Sequence, residues 1–216
     1  MPQNIYEFSR VPLLKEVRDK IQNLKAIFFD LDGTILNTEP LHAKALEYML
    51  IEKECLGFLN IDNLQNDFAG MTDTYVYLYL KENHPLFPYT DVETFLDDKN
   101  KAFLYCLTNF DLELPMSLIH LFDELKKSDL KVALVTSAEK AVVGPILKNL
   151  ELESLFSFIL TREDTVKNKP HPEPYLTAME HFMLEGESVL IFEDSIVGLE
   201  SATRSGCHVG KVLWYD

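Results

Sequence analysis

The sequence predicts an α/β protein with a doubly wound parallel sheet and an all-helical segment inserted near its beginning. Short apolar runs rich in β-branched and aromatic residues recur along the chain, as expected for buried strands. Amphipathic helical stretches separate the later runs, whereas one long interval carries helical patterns only. Because strand–helix–strand connections within one sheet are right-handed, this alternation builds a parallel sheet with helices on both faces.

Five strands and four alternating helices account for the sheet and its covering layers. The strands are residues 26–29, 132–135, 156–160, 189–192 and 209–214. The helices are residues 117–127, 139–150, 174–183 and 195–205. Before the first strand, residues 1–23 form an N-terminal extension with four apolar residues at helical spacing, which predicts a surface helix packed on the core. These four are Leu13, Leu14, Val17 and Ile21.

Residues 38–114 interrupt the alternation with one helical pattern after another. The patterns cover residues 40–53, 73–81 and 92–106. Thr38 is suited to be the N-cap of the first of them. We therefore expect a core formed by residues 24–37 and 115–216, into which residues 38–114 are inserted as a helical subdomain.

Composition and charge exclude several functional classes. The chain has 47% hydrophobic residues, but no apolar run near the ~18 residues that a membrane span needs and no apolar stretch of signal-peptide type at its start, so we expect a cytoplasmic protein that does not bind membranes. The net charge of −15 disfavours nucleic acid, whose binding rests on Lys and Arg. The three cysteines are widely spaced and suggest neither disulfides nor a zinc site. We expect a monomer acting on a small molecule, which can be anionic where local cations and helix ends offset the overall charge.

The first predicted strand ends in two carboxylates and a glycine, Asp30, Asp32 and Gly33. Such a motif can supply a nucleophile, an acid/base and a metal ligand within three residues. The same Asp-Gly pair is also typical of a hairpin turn between two apolar arms. The motif therefore needs support from other segments before it predicts a site.

Three further segments follow predicted strands and carry polar groups. Thr136 and Ser137 begin the next helix, where they can form either an anion site or a capping box without a ligand. Lys169 lies in a proline-rich segment, which either holds the lysine in place or is a solvated loop. Glu193 and Asp194 follow an apolar run, where a metal or a helix N-cap explains paired acids.

The predicted topology brings these segments together. If the five strands have the order 3-2-1-4-5, strands 1 and 4 flank the switch point at which such sheets bind ligands. Four acidic residues would then meet, and their oxygens suit Mg²⁺. They are Asp30, Asp32, Glu193 and Asp194. Thr136 and Lys169 would add the donors and the positive charge that a phosphoryl group needs.

With these motifs in this order, residues 25–212 resemble the haloacid dehalogenase-like superfamily, in particular its β-phosphoglucomutase-like branch. The resemblance implies a Rossmann-like core with a helical cap. It also implies that Asp30 is the nucleophile that forms an aspartyl-phosphate and that Asp32 is the acid/base. Haloacid dehalogenases and phosphonate hydrolases lack an aspartate at the position of Asp32, so its presence favours phosphate esters.

The same resemblance implies how the ligands are held. Mg²⁺ would be bound by the Asp30 carboxylate, the Asp32 backbone carbonyl and Asp194, with Glu193 in or near the coordination shell. The phosphoryl oxygens would be bound by two side chains and two backbone segments. The side chains are those of Thr136 and Lys169, and the backbone groups belong to Ser137 and Gly33.

The inserted subdomain separates two reactions within the branch. Residues 69–73 resemble a segment of the sugar phosphomutases, but Asp73 stands where those enzymes carry an arginine for the second phosphate. We therefore expect a Mg²⁺-dependent phosphatase of a small phosphorylated metabolite. The alternatives are a hexose-phosphate mutase and a catalytically silent phosphate-binding regulatory protein.

Three residues of the subdomain are candidates for contacts with substrate or for the hinge between cap and core. They are His42, Gly70 and Lys99. The alternative interpretation is that His42 is a helix-surface histidine and that Lys99 is a solvated helix lysine.

Overall fold

The computed structural model describes residues 5–53, 68 and 71–215, and its strands form one all-parallel sheet. The strands are β1 (Ile5–Phe8), β2 (Ala26–Phe29), β3 (Lys131–Val135), β4 (Phe158–Leu160), β5 (Val189–Glu193) and β6 (His208–Val212). Their order across the sheet is β1-β6-β5-β2-β3-β4. The predicted α/β class and the predicted order of the last five strands are confirmed, so β2 lies between β3 and β5 at the switch point.

Eight α-helices lie within the described ranges. They are α1 (Leu14–Lys20), α2 (Glu39–Glu52), α3 (Asp73–Asn83), α4 (Val92–Asn109), α5 (Met116–Lys126), α6 (Lys140–Asn149), α7 (Glu173–Phe182) and α8 (Ile196–Ser205). The helical patterns of the sequence predicted each of them within a few residues at either end. Among the residues described, no helix is both long enough and apolar enough to cross a membrane.

The chain divides into two compact units. The core unit consists of Met1–Asn37 and Leu112–Asp216, and the helical unit consists of Thr38–Asp111. In the core unit every residue of β2 is fully buried, and Phe29 stacks on Phe192 of β5 with ring centroids 5.2 Å apart. The central strands are therefore packed on both faces, which holds the residues at their carboxyl ends in place.

Within the region that the sequence assigns to an N-terminal extension, residues 5–8 form an edge strand of the core sheet. β1 pairs in parallel with β6, from Ile5 opposite Val209 to Phe8 opposite Val212. The sequence predicted the following helix, α1, but no strand before it. Val17 and Ile21 are buried as expected, whereas Leu13 precedes the helix and is exposed.

Candidate active site

The carboxyl ends of β2, β3 and β5 bring three polar segments to one edge of the sheet. Strand pairing continues past β2, because the backbone N–H of Asp30 donates to the carbonyl of Phe192 at 3.0 Å. Beyond β3, the N–H of Thr136 donates to the carbonyl of Leu160 at 3.0 Å. Glu193 is the last residue of β5. These backbone hydrogen bonds between strands therefore fix the backbone positions from which the polar side chains project.

The turn after β2 is tight, and it is not a hairpin. Leu31 accepts hydrogen bonds from the next turn of backbone, and Asp32 bridges Leu36 in a parallel sense, so the chain does not reverse. Gly33 has φ +74°, and a Cβ atom there would lie 2.1 Å from Oδ2 of Asp194. Glycine is thus required for both conformation and space. The Thr34 hydroxyl donates to Oδ1 of the same Asp194 at 3.1 Å.

Lys169 connects the three strand ends. Its ammonium group donates to Asp30 Oδ1 at 2.6 Å, to Glu193 Oε1 at 2.5 Å and to the carbonyl of Val135 at 2.9 Å. Only 3% of its side chain is exposed. All three N–H donors of the lysine can be satisfied by these acceptors, so the side chain is held in one position. The proline-rich segment is therefore not a solvated loop at this residue.

Glu193 is enclosed by donors of the protein itself. Its Oε1 also accepts from the Tyr175 hydroxyl at 2.8 Å, and its Oε2 accepts from the Ser195 hydroxyl at 3.3 Å. A Cβ atom on Gly198 would lie 2.0 Å from the carboxylate, which leaves no space on that side. The carboxylate is fully buried and is paired with a cation, as buried charges must be.

The charges of this cluster do not balance. Burial raises the pKa of Asp30 well above its usual range, Glu193 and Asp32 raise it further, and Lys169 opposes the shift. Burial would lower the pKa of Lys169, but the charges of Asp30 and Glu193 outweigh it and raise that pKa. Burial, with repulsion by Glu193, raises the pKa of Asp194 to about 6. Three carboxylates thus face one cation.

A divalent metal ion fits this excess of negative charge. Asp30, Glu193 and Asp194 each offer one oxygen, and these oxygens lie within 4.8 Å of one another. Carboxylate oxygens are the hard ligands that Mg²⁺ prefers. Since the Glu193 oxygens already accept from Lys169, Tyr175 and Ser195, Asp30 and Asp194 are the better-placed ligands of the three.

The raised pKa of Asp194 predicts how a divalent cation such as Mg²⁺ would change the stability of the protein on binding. Its pKa lies above the ordinary 3.8, so between about pH 4 and about pH 6 the folded protein binds more protons than the unfolded chain, and this carboxyl contributes less stability as pH rises. Mg²⁺ should offset that loss where Asp194 is ionised. We expect the rise in melting temperature on adding MgCl₂ to be larger at about pH 8 than at about pH 5.

Thermal melts with MgCl₂ at both pH values, against KCl of equal ionic strength, measure this difference. Equal shifts at the two pH values would contradict competition between the proton and the metal for Asp194.

Thr136 directly follows Val135, whose carbonyl accepts from Lys169, but it does not begin a helix as the sequence predicted. The hydroxyl accepts from the N–H of Ala138 at 3.0 Å, and α6 starts only at Lys140. Both carboxylate oxygens of Glu163 accept from the N–H of Lys140 at 3.1 Å. The helix N-terminus is therefore capped from another loop, and the capping-box interpretation is wrong. Ser137 is exposed, next to the buried Thr136.

Two of the three candidates in the helical unit lie among the described residues. Lys99 is buried and donates to Asp73 Oδ1, so it is not a solvated lysine. The His42 ring stacks on Phe103 with centroids 4.2 Å apart. Burial, followed by the charge of Lys99, lowers the pKa of His42, which keeps the imidazole neutral near pH 7. Gly70 lies outside the described residues.

Sequence reasoning missed two contributors to the core site, Tyr175 and Thr34. Tyr175 lies on the apolar face of α7, so its spacing predicts a core residue. The one signal of a further role is that a buried tyrosine hydroxyl needs a hydrogen-bond partner. Thr34 directly follows Asp30, Asp32 and Gly33, so its position in the sequence could have identified it as a candidate site residue.

Comparison with known proteins agrees with this geometry. The family model described as haloacid dehalogenase-like hydrolase matches residues 27–212. A phosphoglycolate phosphatase of Salmonella choleraesuis is 25% identical over 92% of this chain and 85% of its own length. The phosphorylated carbohydrates phosphatase of Thermotoga maritima is 28% identical, over 85% and 82%. A solved structure from Thermotoga maritima, provisionally named β-phosphoglucomutase, has a TM-score of 0.73 and 25% identity, over 86% of this chain and 84% of that one. The resemblance seen in the motifs is confirmed, and the chain belongs to the haloacid dehalogenase-like hydrolase family.

Proposed function

We propose that this protein is a Mg²⁺-dependent phosphatase that hydrolyses a small phosphorylated metabolite through an aspartyl-phosphate on Asp30. The observation that carries the proposal is the cluster at the switch point of the sheet. There, Lys169 joins Asp30 to Glu193, and Asp194 completes a set of oxygens within 4.8 Å of one another. The curated relatives reported above are named as phosphatases, which supports the same reaction.

The reaction divides into two displacements at phosphorus. The Asp30 carboxylate attacks the phosphorus, the bond to the ester oxygen breaks, and Asp32 gives that oxygen its proton. Asp32 then takes a proton from water, whose oxygen attacks the aspartyl-phosphate and releases inorganic phosphate with Asp30 restored. Covalent catalysis of this kind replaces one difficult step by two easier ones.

Charge decides which groups hold the phosphoryl oxygens. Bound Mg²⁺ would neutralise the anionic nucleophile and phosphate, with Asp30, Asp194 and the Asp32 carbonyl as its protein ligands. Lys169 keeps its proton in this cluster and supplies fixed positive charge beside Asp30. We assign the remaining phosphoryl contacts to the Thr136 hydroxyl and to the backbone of Ser137 and Gly33.

The helical unit favours hydrolysis over transfer between two sugar positions. We propose that this unit is the substrate cap. A mutase must hold a second phosphate, yet the buried Lys99 already donates to Asp73, so its charge is balanced within the unit. A further dianion would have to overcome the Asp73 carboxylate. A sugar phosphate with a single phosphate group meets no such obstacle.

Product analysis separates the two reactions. Incubated with a hexose 1-phosphate and MgCl₂, the protein should release inorganic phosphate, and EDTA should stop the release. Appearance of the hexose 6-phosphate in its place would establish the mutase. Failure to hydrolyse any member of a panel of sugar phosphates, phosphorylated acids and p-nitrophenyl phosphate, with BeF₃⁻ still bound, would favour the regulatory alternative.

A further inference from the structure

Two aromatic residues after β6 hold the turn that follows β2. The indole N–H of Trp214 donates to the carbonyl of Thr34 at 3.0 Å, and the Tyr215 hydroxyl donates to the carbonyl of Ile35 at 2.5 Å. The preceding residue, Leu213, donates its backbone N–H to the carbonyl of Phe8 at 2.9 Å. The segment 213–215 is thus anchored at one end to β1 and at the other to the turn.

The two carbonyls depend on these donors. Thr34 and Ile35 are fully buried, and a buried carbonyl without a donor loses the hydrogen bond that water would otherwise provide. The bonds within the turn end on the carbonyls of Leu31 and Leu36 instead. Side chains distant in sequence therefore satisfy the backbone of the turn and fix its position.

The same turn contacts a proposed metal ligand directly. The Thr34 hydroxyl donates to Asp194 Oδ1 at 3.1 Å, and Gly33 lies so close that a Cβ atom would overlap that carboxylate. Trp214 also packs on Phe192, two residues before Asp194, with ring centroids 5.5 Å apart. Trp214 thus contacts both segments that deliver carboxylates to the site.

We propose that Trp214 and Tyr215 are positioning residues for the metal site, which they act on by holding the Gly33–Leu36 turn against Asp194. The proposal rests on the proposed function only in taking Mg²⁺ as the ion. Neither residue touches the reacting atoms. Partners that orient a metal ligand affect metal affinity because a displaced carboxylate must be reordered when the ion binds.

Two substitutions remove the hydrogen bonds while keeping an aromatic residue at each position. Trp214→Phe replaces the indole and its N–H by a smaller phenyl ring, and Tyr215→Phe deletes a single oxygen atom. Tyr48→Phe is the matched control, because it removes a hydroxyl that donates to Glu52 on an exposed helix face. In calorimetric titration of metal-free protein with MgCl₂, we expect each site variant to bind Mg²⁺ about 10-fold more weakly than wild type. The control should bind as wild type does.

Kinetics supply the second measurement. With p-nitrophenyl phosphate, the Mg²⁺ concentration for half-maximal rate should rise in the same proportion as the calorimetric Kd, while kcat at saturating Mg²⁺ returns toward wild type. A purely structural role would lower the melting temperature of the metal-free variants and leave the Mg²⁺ Kd unchanged, which would overturn the proposal. Tyr215→Phe decides the matter should Trp214→Phe fold poorly.

The same data distinguish the two proposals. Wild-type turnover with equal Mg²⁺ Kd in all variants rejects the positioning role alone. Mg²⁺ binding that weakens in the variants, without hydrolysis of any phosphate ester by wild type, rejects the phosphatase alone. A wild-type protein that binds no Mg²⁺ overturns both.

Discussion

Asp30→Asn should abolish turnover of p-nitrophenyl phosphate, with kcat at least about 10⁴-fold below wild type. The amide cannot attack phosphorus, and the group that would carry the covalent phosphate is lost. The fold should survive, because Lys169 keeps its bond to Glu193 and the cluster loses one of its excess negative charges. Initial rates at saturating MgCl₂, together with melting curves of both proteins, measure the two halves of this expectation.

Asp129→Asn is the matched control, because this carboxyl is exposed and pairs with Arg18 at the surface. It should leave kcat unchanged. Activity of Asp30→Asn near the wild-type rate would refute the assignment of the nucleophile. A variant that loses both activity and its melting transition would instead assign Asp30 a structural role.

Lys169→Met should destabilise the metal-free protein by about 3–5 kcal/mol, because the buried Asp30 and Glu193 carboxylates would face each other without a cation. The deficit should shrink as pH falls. Burial already raises the pKa of Asp30, and Lys169 opposes that shift, so the variant takes up a proton at higher pH than wild type does. Proton uptake by the folded state restores stability at low pH. Urea unfolding at neutral and acidic pH gives both quantities.

Arg18→Met provides the comparison, since it removes the cation of a surface pair whose two side chains are 46% and 86% exposed. Solvent screens such a pair, so the unfolding midpoint should not move. The prediction is contradicted if the two variants have the same free energy of unfolding. It is also contradicted if the loss of stability in Lys169→Met does not depend on pH.

Much of the core and its site could be predicted from local sequence patterns. Continuous apolar runs mark strands that are buried on both faces, and β2 is such a strand. Because parallel strands end at the same edge, the polar residues that follow β2, β3 and β5 had to approach one another once the order was known. Asp30 and Glu193 lie close together for this reason, and Lys169 reaches both of them from the segment that follows β4.

Features that depend on distant partners escaped prediction. β1 is a four-residue edge strand whose pairing with β6 depends on residues some two hundred positions away, and its pattern is half exposed. The helix at residues 139–150 was predicted, but the acceptor of its first N–H group, the Glu163 carboxylate in another loop, was not. The hydrogen bond from Lys99 to Asp73 joins two different helices, so the sequence around Lys99 does not predict it. Side-chain partners of this kind leave no periodic signal in the sequence.

Trp214 gives the protein a built-in optical probe. It is the only tryptophan of the sequence, so the indole emission comes from one defined place. The ring is hydrogen-bonded to the turn after β2 and lies against Phe192. We expect its fluorescence to change when MgCl₂ and BeF₃⁻ are added together, which would allow ligand screening without a label and before any substrate is known.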